Sequence, residues 1–257
     1  MSIIIKVTGL SKYYYSSAIS KEKKKKITAL EKINIEIEEG SGFAIVGPNA
    51  AGKTTLIKII CGLVHPSTGY VEVMGNDAVK DSKVIRNSLG LISPEDRSLY
   101  MRLTGYENLE FYARLYGLNR QQISKKIEYL TGLLNLNPDI NNALQNCSTG
   151  IKHRFSIARA LINDPAVLLL DEPAKSLDPD AAASLHEFII EELIKRQKKT
   201  VVFTSHSLKE VEKLADEVAF IEAGCLKGCG TMGDLKKEAG LQDNSTPEDV
   251  YRAYIGN

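Results

Sequence analysis

The chain has 257 residues, 43% of them hydrophobic and 25% charged, and a formal net charge of +1. Those values suit one or two globular domains with a sizeable core, and the balanced charge implies no nucleic-acid partner. Cys61, Cys147, Cys225 and Cys229 are too few and too scattered for a disulfide framework, and the Cys225–Cys229 spacing suits no usual zinc pair, so all four read as free thiols.

In chain order, the opening "MSIIIKVTGL" has no basic lead before a long apolar stretch, so no secretory signal is expected. Residues 1–95 alternate strand-like runs with turns: "SIIIKV", "INIEIEEG", "GFAIVG", "YVEVMGN" and "LGLIS". Ile33, Ile35 and Ile37 alternate with polar residues, the pattern of a half-exposed strand. The lysine-rich "SKEKKKK", residues 20–26, reads as a solvated loop, with contact to anionic lipid headgroups as the sharper alternative. Residues 103–135 read as helical, with Leu109, Tyr112, Ala113, Tyr116 and Leu118 on an apolar face and Asn137-Pro138 closing the segment. From about residue 148 the alternation resumes: helix "KHRFSIARALI", strand "AVLLLD", helix "AAASLHEFIIEELIKR", strand "TVVFTS". "VLLLD" is apolar throughout, as a central parallel strand covered on both faces must be. An α/β fold with a helical insertion follows. No run reaches the length of a membrane span, so a cytoplasmic protein is expected.

"GPNAAGKTT", residues 47–55, joins an apolar strand to a helix and carries the phosphate-binding pattern G-x-x-x-x-G-K-[ST]. Glycines let backbone N–H groups converge on phosphates, and the helix N-terminus adds partial positive charge at the same point. Gly47, Pro48, Asn49, Ala50, Ala51, Gly52, Lys53, Thr54 and Thr55 are therefore the candidate nucleotide-binding segment. Lys53 is expected to reach the β/γ-phosphates and Thr54 to offer a hydroxyl to Mg²⁺. "AVLLLDEP" ends a buried strand on two acids. Asp171 is placed to hold Mg²⁺ through water, and Glu172 to orient and deprotonate an attacking water.

In this order, "GPNAAGKTT", "STGIKHRFSIARAL", "LLLDEP", "SLDP" and "TSH" resemble the nucleotide-binding subunit of ABC transporters. The resemblance runs from "GLSKYY" to "LKGCGT", and "SPEDRSLYMRLTGYENLEFYARLYGL" is most similar to subunits serving ABC-2-type exporters. It implies a P-loop NTPase core with a mixed central sheet, an N-terminal antiparallel β-subdomain and an inserted α-helical subdomain. The ATP-binding domain is expected over 1–236, with the insertion at about 96–160, followed by a short helical tail over 237–257. The resemblance further implies that Tyr14 stacks on adenine, with Tyr13 and Tyr15 as close rivals. Ser148 and Gly150 would grip a γ-phosphate held by the opposite subunit, and Asp178 would link the two sites across the dimer. His206 would contact the γ-phosphate and the water. The implied ligands are ATP and Mg²⁺.

Three departures from the family pattern stand out. Ala50 replaces a usual glycine; should that position need φ > 0, alanine strains it, with modest weakening of nucleotide binding at most. Glu95 stands where a glutamine is usual, and it can ligate Mg²⁺ but cannot donate as an amide does. The signature reads "CSTGI", where Thr149 adds bulk and Ile151 also departs.

The implied function is an ATP-hydrolysing subunit of an exporter, held on the cytoplasmic face of the membrane by permease subunits. It would work as a homodimer or as a heterodimer with a related ATPase subunit. The permease is expected near Glu95 and residues 96–108, where Leu99, Tyr100, Leu103 and Tyr106 offer an apolar and aromatic surface, about half of it expected to be subdomain core instead. Two alternatives stay open: a soluble ABC-type ATPase in cofactor assembly or another non-transport complex, and a non-catalytic module that ATP merely drives to associate.

Overall fold

A computed structural model describes residues 2–15, 26–93, 98–175 and 177–256. Glu95 and all of the lysine-rich segment but Lys26 lie outside the described residues. The chain opens with β1 (Ile3–Tyr15), β2 (Lys26–Glu38), β3 (Gly42–Val46), α1 (Lys53–Ile60), β4 (Thr68–Val73), β5 (Asn76–Asp77), α2 (Ser82–Ser88) and β6 (Leu89–Ile92). Strands β2, β1, β4 and β5 form an antiparallel sheet in that order. Ile33, Ile35 and Ile37 are buried on one face of β2 while Asn34 and Glu36 face solvent, so the period-two pattern describes a half-covered strand.

Helices fill the interval between β6 and β7 (Val167–Asp171): α3 (Gly105–Leu115), α4 (Arg120–Leu133) and α5 (Thr149–Ala160). The stretch read as helical over 103–135 holds two helices, because Thr104 with Glu107 and Asn119 with Gln122 each form a capping box that starts one. Leu109 and Ala113 on α3, Ile123, Ile127 and Leu130 on α4, and Phe155 on α5 are all buried together.

The remaining elements are α6 (Pro179–Glu187), which runs on as a π-helical segment Phe188–Arg196, then β8 (Thr200–Ser205), α7 (Leu208–Leu214), β9 (Glu217–Glu222), β10 (Cys225–Gly230), α8 (Met232–Glu238) and α9 (Pro247–Ile255). The second sheet is six-stranded and mixed, in the order β10-β9-β3-β8-β7-β6, with only β10 antiparallel to its neighbour. Strands β3, β7 and β8 are buried at every position, as parallel strands between two layers must be. One consequence decides the site: β8 lies between the strand leading into the phosphate loop and the strand ending in Asp171. The C-terminal segment packs on this sheet, with the Tyr251 and Tyr254 rings 5.8 and 5.6 Å from Phe220 and Val250 fully buried. The four cysteines are free thiols. Among the described residues no helix is long and apolar enough to cross a membrane.

Phe155 has no exposed surface and packs within the cluster that joins the helices to the sheet. Phe155→Ala should cost about 3–5 kcal/mol of stability, read as a lower urea midpoint at unchanged slope.

Candidate functional site

The phosphate loop is set by close packing. A side-chain carbon on Gly47 would meet the Ile221 carbonyl at 2.0 Å, and one on Gly52 would meet the Ala29 carbonyl at 2.4 Å. Gly52 also has φ 108, so only glycine fits there. Pro48, Asn49 and Ala50 form the exposed tip, while Gly47 and Ala51 are buried beneath it. Ala50 has φ 63, the left-handed conformation in which a Cβ is strained. No side chain caps α1. Its first-turn N–H groups are therefore available to an anion.

Lys53 curls back over the loop, donating from Nζ to the Gly47 carbonyl at 2.7 Å and the Pro48 carbonyl at 3.1 Å. Burial lowers its pKa, while the nearby Glu172 and Asp171 carboxylates oppose that shift. Thr54 Oγ1 donates to Asp171 Oδ2 at 2.8 Å across 117 residues of sequence. The second oxygen, Asp171 Oδ1, accepts from Thr204 Oγ1 at 2.6 Å, and Thr204 is completely buried on the intervening strand. The same hydroxyl accepts from the Glu172 N–H at 2.9 Å. Thr204 thus ties the two acids together. Nothing in the motif reading singles it out, since a threonine in an apolar strand reads as ordinary β-propensity; its only signal is a buried hydroxyl just before Ser205 and His206.

Glu172 has φ 48, a left-handed backbone at a non-glycine residue and of the kind found where function holds strain in place. Its Oε2 pairs with Lys175 Nζ at 2.8 Å. The Lys175 ammonium holds the carboxyl below its usual pKa, opposed by burial and helped by Lys53 and His206. His206 is exposed and shares with Glu172 a cavity of about 240 Å³, which Lys175 and Ser205 also line. Lys53, Thr54, Asp171, Glu172 and His206 therefore gather at the C-terminal ends of β3, β7 and β8. Thr55 is half-buried in the first turn of α1.

Ser148, Gly150 and Asp178 lie elsewhere, lining a separate cavity of about 430 Å³ with Asn135, His153 and Arg154. Ser148 caps α5, accepting from the Ile151 N–H at 3.3 Å, and Asp178 caps α6, accepting from the Ala181 N–H at 2.9 Å. At the far end of β1, Tyr14 is exposed with the Lys12 ammonium 4.9 Å from its ring centre, and Lys26 lies 3.4 Å from that of Tyr13. Tyr15 is more exposed still, so the choice among the three tyrosines stays open. Of the four side chains expected to receive a partner, Leu99 is buried in the core and Leu103 half-buried. Tyr100 and Tyr106 are exposed, and Tyr100 meets Phe111 edge-on at 5.1 Å.

Residues 30–175 match the family model described as ABC transporter. The chain is 38% identical over 222 residues to the ABC transporter ATP-binding protein NatA of Bacillus subtilis, covering 86% of this chain and 89% of that protein. It is 34% identical over 237 residues to the bacitracin transport ATP-binding protein BcrA of Bacillus licheniformis, covering 92% and 72%. A solved structure described as the ATP binding subunit of an ABC transporter superposes with a TM-score of 0.80 at 27% identity, covering 96% of this chain and 98% of that one.

Because Ala50 already holds φ 63, its strain enters folding rather than nucleotide binding. Ala50→Gly should raise stability by about 0.5–1 kcal/mol and change the Kd for ATP less than about twofold, checked by urea unfolding and calorimetric titration.

Proposed function

The chain belongs to the ABC transporter ATP-binding family, and we propose that it hydrolyses ATP as the nucleotide-binding subunit of an exporter, joined to a separate membrane permease. One observation carries the site assignment: Asp171 accepts from Thr54 and from Thr204, and Thr204 in turn accepts from the Glu172 N–H. These bonds support reading the start of α1 as the phosphate site, Thr54 and Asp171 as hard oxygen donors and Glu172 as the base beside them.

Thr54 Oγ1 and Asp171 Oδ2, 2.8 Å apart, are the donor chemistry that Mg²⁺ selects, and Glu95 is a further candidate by its position in the sequence. Mg²⁺ held there would offset negative charge on the phosphates. Lys53 would exchange its two carbonyl partners for β/γ-phosphate oxygens, with the first-turn N–H groups of α1 adding fixed donors. Glu172, whose pKa is held low by Lys175, stays ionised and accepts the proton of the attacking water, while His206 contacts the γ-phosphate. Tyr14, or one of its two neighbours, stacks on adenine.

Ser148, Gly150 and Asp178 sit in a cavity that none of the phosphate-loop residues lines. That separation supports their serving the nucleotide of a second subunit, of this chain or a related one. Export is supported by the resemblance of residues 93–118 to exporter subunits. The exposed Tyr100, Tyr106 and Phe111 are the surface assigned to the permease, which would hold the protein on the cytoplasmic face of the membrane.

Lys53→Ala removes the buried ammonium. ATP affinity should fall roughly tenfold or more and phosphate release about 100-fold or more, measured by calorimetry and a phosphate assay. Wild-type turnover in that variant would remove the phosphate-loop assignment. Glu172→Gln keeps side-chain size and removes the base, so turnover should fall by about 10²–10⁴. It also removes a negative charge near the γ-phosphate, so ATP should shift the variant from monomer to dimer in light scattering. A related subunit would be needed if the natural pair is a heterodimer. A variant that binds ATP yet associates with neither would sink the two-subunit mechanism.

A further inference from the structure

A buried polar chain outside the motifs adjoins the site. Ser205 ends β8 immediately before His206, and its Oγ donates to Glu210 Oε2 at 2.5 Å. The other carboxylate oxygen, Glu210 Oε1, lies 3.0 Å from His186 Nε2. Ser205 is 1% exposed and Glu210 6% exposed, so protein groups rather than bulk water must satisfy them. A carboxylate only accepts, which assigns the His186 proton to Nε2 as donor.

The local pattern makes this arrangement informative. Glu210 occupies the third helical position after Ser207, the capping residue of α7, and its own N–H donates to Ser207 Oγ at 3.4 Å. From that position a glutamate side chain ordinarily returns to the capping residue's N–H. Here the Ser207 N–H donates instead to Ser205 Oγ at 2.9 Å. The carboxylate is thereby released to bridge from the His206 loop to α6. Helix α6 begins at Asp178, so the bridge joins the element carrying His206 to the element assigned to the subunit contact. Glu172 and Glu210 line the same cavity as His206, which places the bridge against the reacting side of the molecule.

We propose that Ser205, Glu210 and His186 are positioning residues that lock the His206 loop to the Asp178-capped helix, so that displacement of that helix on subunit contact carries His206 with it. The proposal rests on the reading of His206 as the γ-phosphate contact.

The test is steady-state ATP hydrolysis by the full chain, with KM for ATP and the thermal midpoint measured alongside. Ser205→Ala and His186→Leu should each lower kcat roughly tenfold, the scale of one hydrogen bond to a charged group, with KM changed less than about twofold. The double variant should be no worse than Ser205→Ala by more than about twofold, because both act through one carboxylate. His186→Gln retains a donor and should keep kcat within about threefold of wild type. Glu210→Gln, which keeps shape but only one acceptor oxygen, should fall between, and it serves if the other variants do not fold. Additive losses, unchanged kcat, or a lowered midpoint with no rescue by His186→Gln would overturn the proposal. His206→Ala separates the two readings: if it abolishes turnover while the network variants keep the wild-type kcat, the network fails alone. If His206→Ala turns over normally, the assignment of His206 fails and the proposal with it.

Discussion

Everything at the site depends on how one buried carboxylate is satisfied. Asp171 is 5% exposed at the end of β7, and each of its oxygens accepts from a threonine hydroxyl, one on α1 and one on β8. A carboxylate in that position is costly unless hydrogen-bonded. Satisfying it draws the phosphate-loop helix and two strands into fixed register. Since β8 separates β3 from β7, the contact cannot be made by neighbouring strands alone. Thr54 must reach from above and Thr204 from the side.

The backbone around this knot is held in unusual conformations by its surroundings. Ala50 and Glu172 are both left-handed without being glycine, and both lie within the reacting region. Gly47 and Gly52 are pressed against carbonyls from β9 and β2. The loop therefore arrives already shaped, with ordering costs met during folding rather than on binding. The Glu172–Lys175 pair continues this logic, keeping that carboxyl ionised beside the buried Lys53 ammonium.

Much of this was legible in the residues, and what was not has physical reasons. Phosphate-loop chemistry is local: small residues, a lysine and a helix start suffice to read it. "VLLLD" announces a doubly covered strand because every position is apolar. The alternation of three isoleucines marks β2 as half-covered. Thr204 was invisible as a functional residue, because its role exists only once β8 lies between two strands distant in sequence. The break between α3 and α4 falls inside a stretch read simply as helical, and the left-handed Gly117 and the second capping box mark it. About half of the apolar and aromatic side chains after Glu95 were expected in the subdomain core, and Leu99 is buried there among the helices that follow it. The Glu210 bridge is similarly long-range, joining residues 24 apart on different helices.

The same geometry sets two groups of residues apart. The phosphate loop, Asp171, Glu172 and His206 lie at the strand ends, while Ser148, Gly150 and Asp178 line a cavity that none of them lines. The central claim is that Thr204 organises the reacting groups through Asp171 and Glu172. Thr204→Val removes the hydroxyl with little change in shape, so its turnover and nucleotide affinity test that claim most directly. The account predicts a kcat at least about tenfold lower, the scale of a lost hydrogen bond to a charged group, with the Kd for ATP measured without Mg²⁺ within about twofold of wild type. A variant that folds and turns over within about twofold of the wild-type rate would contradict it.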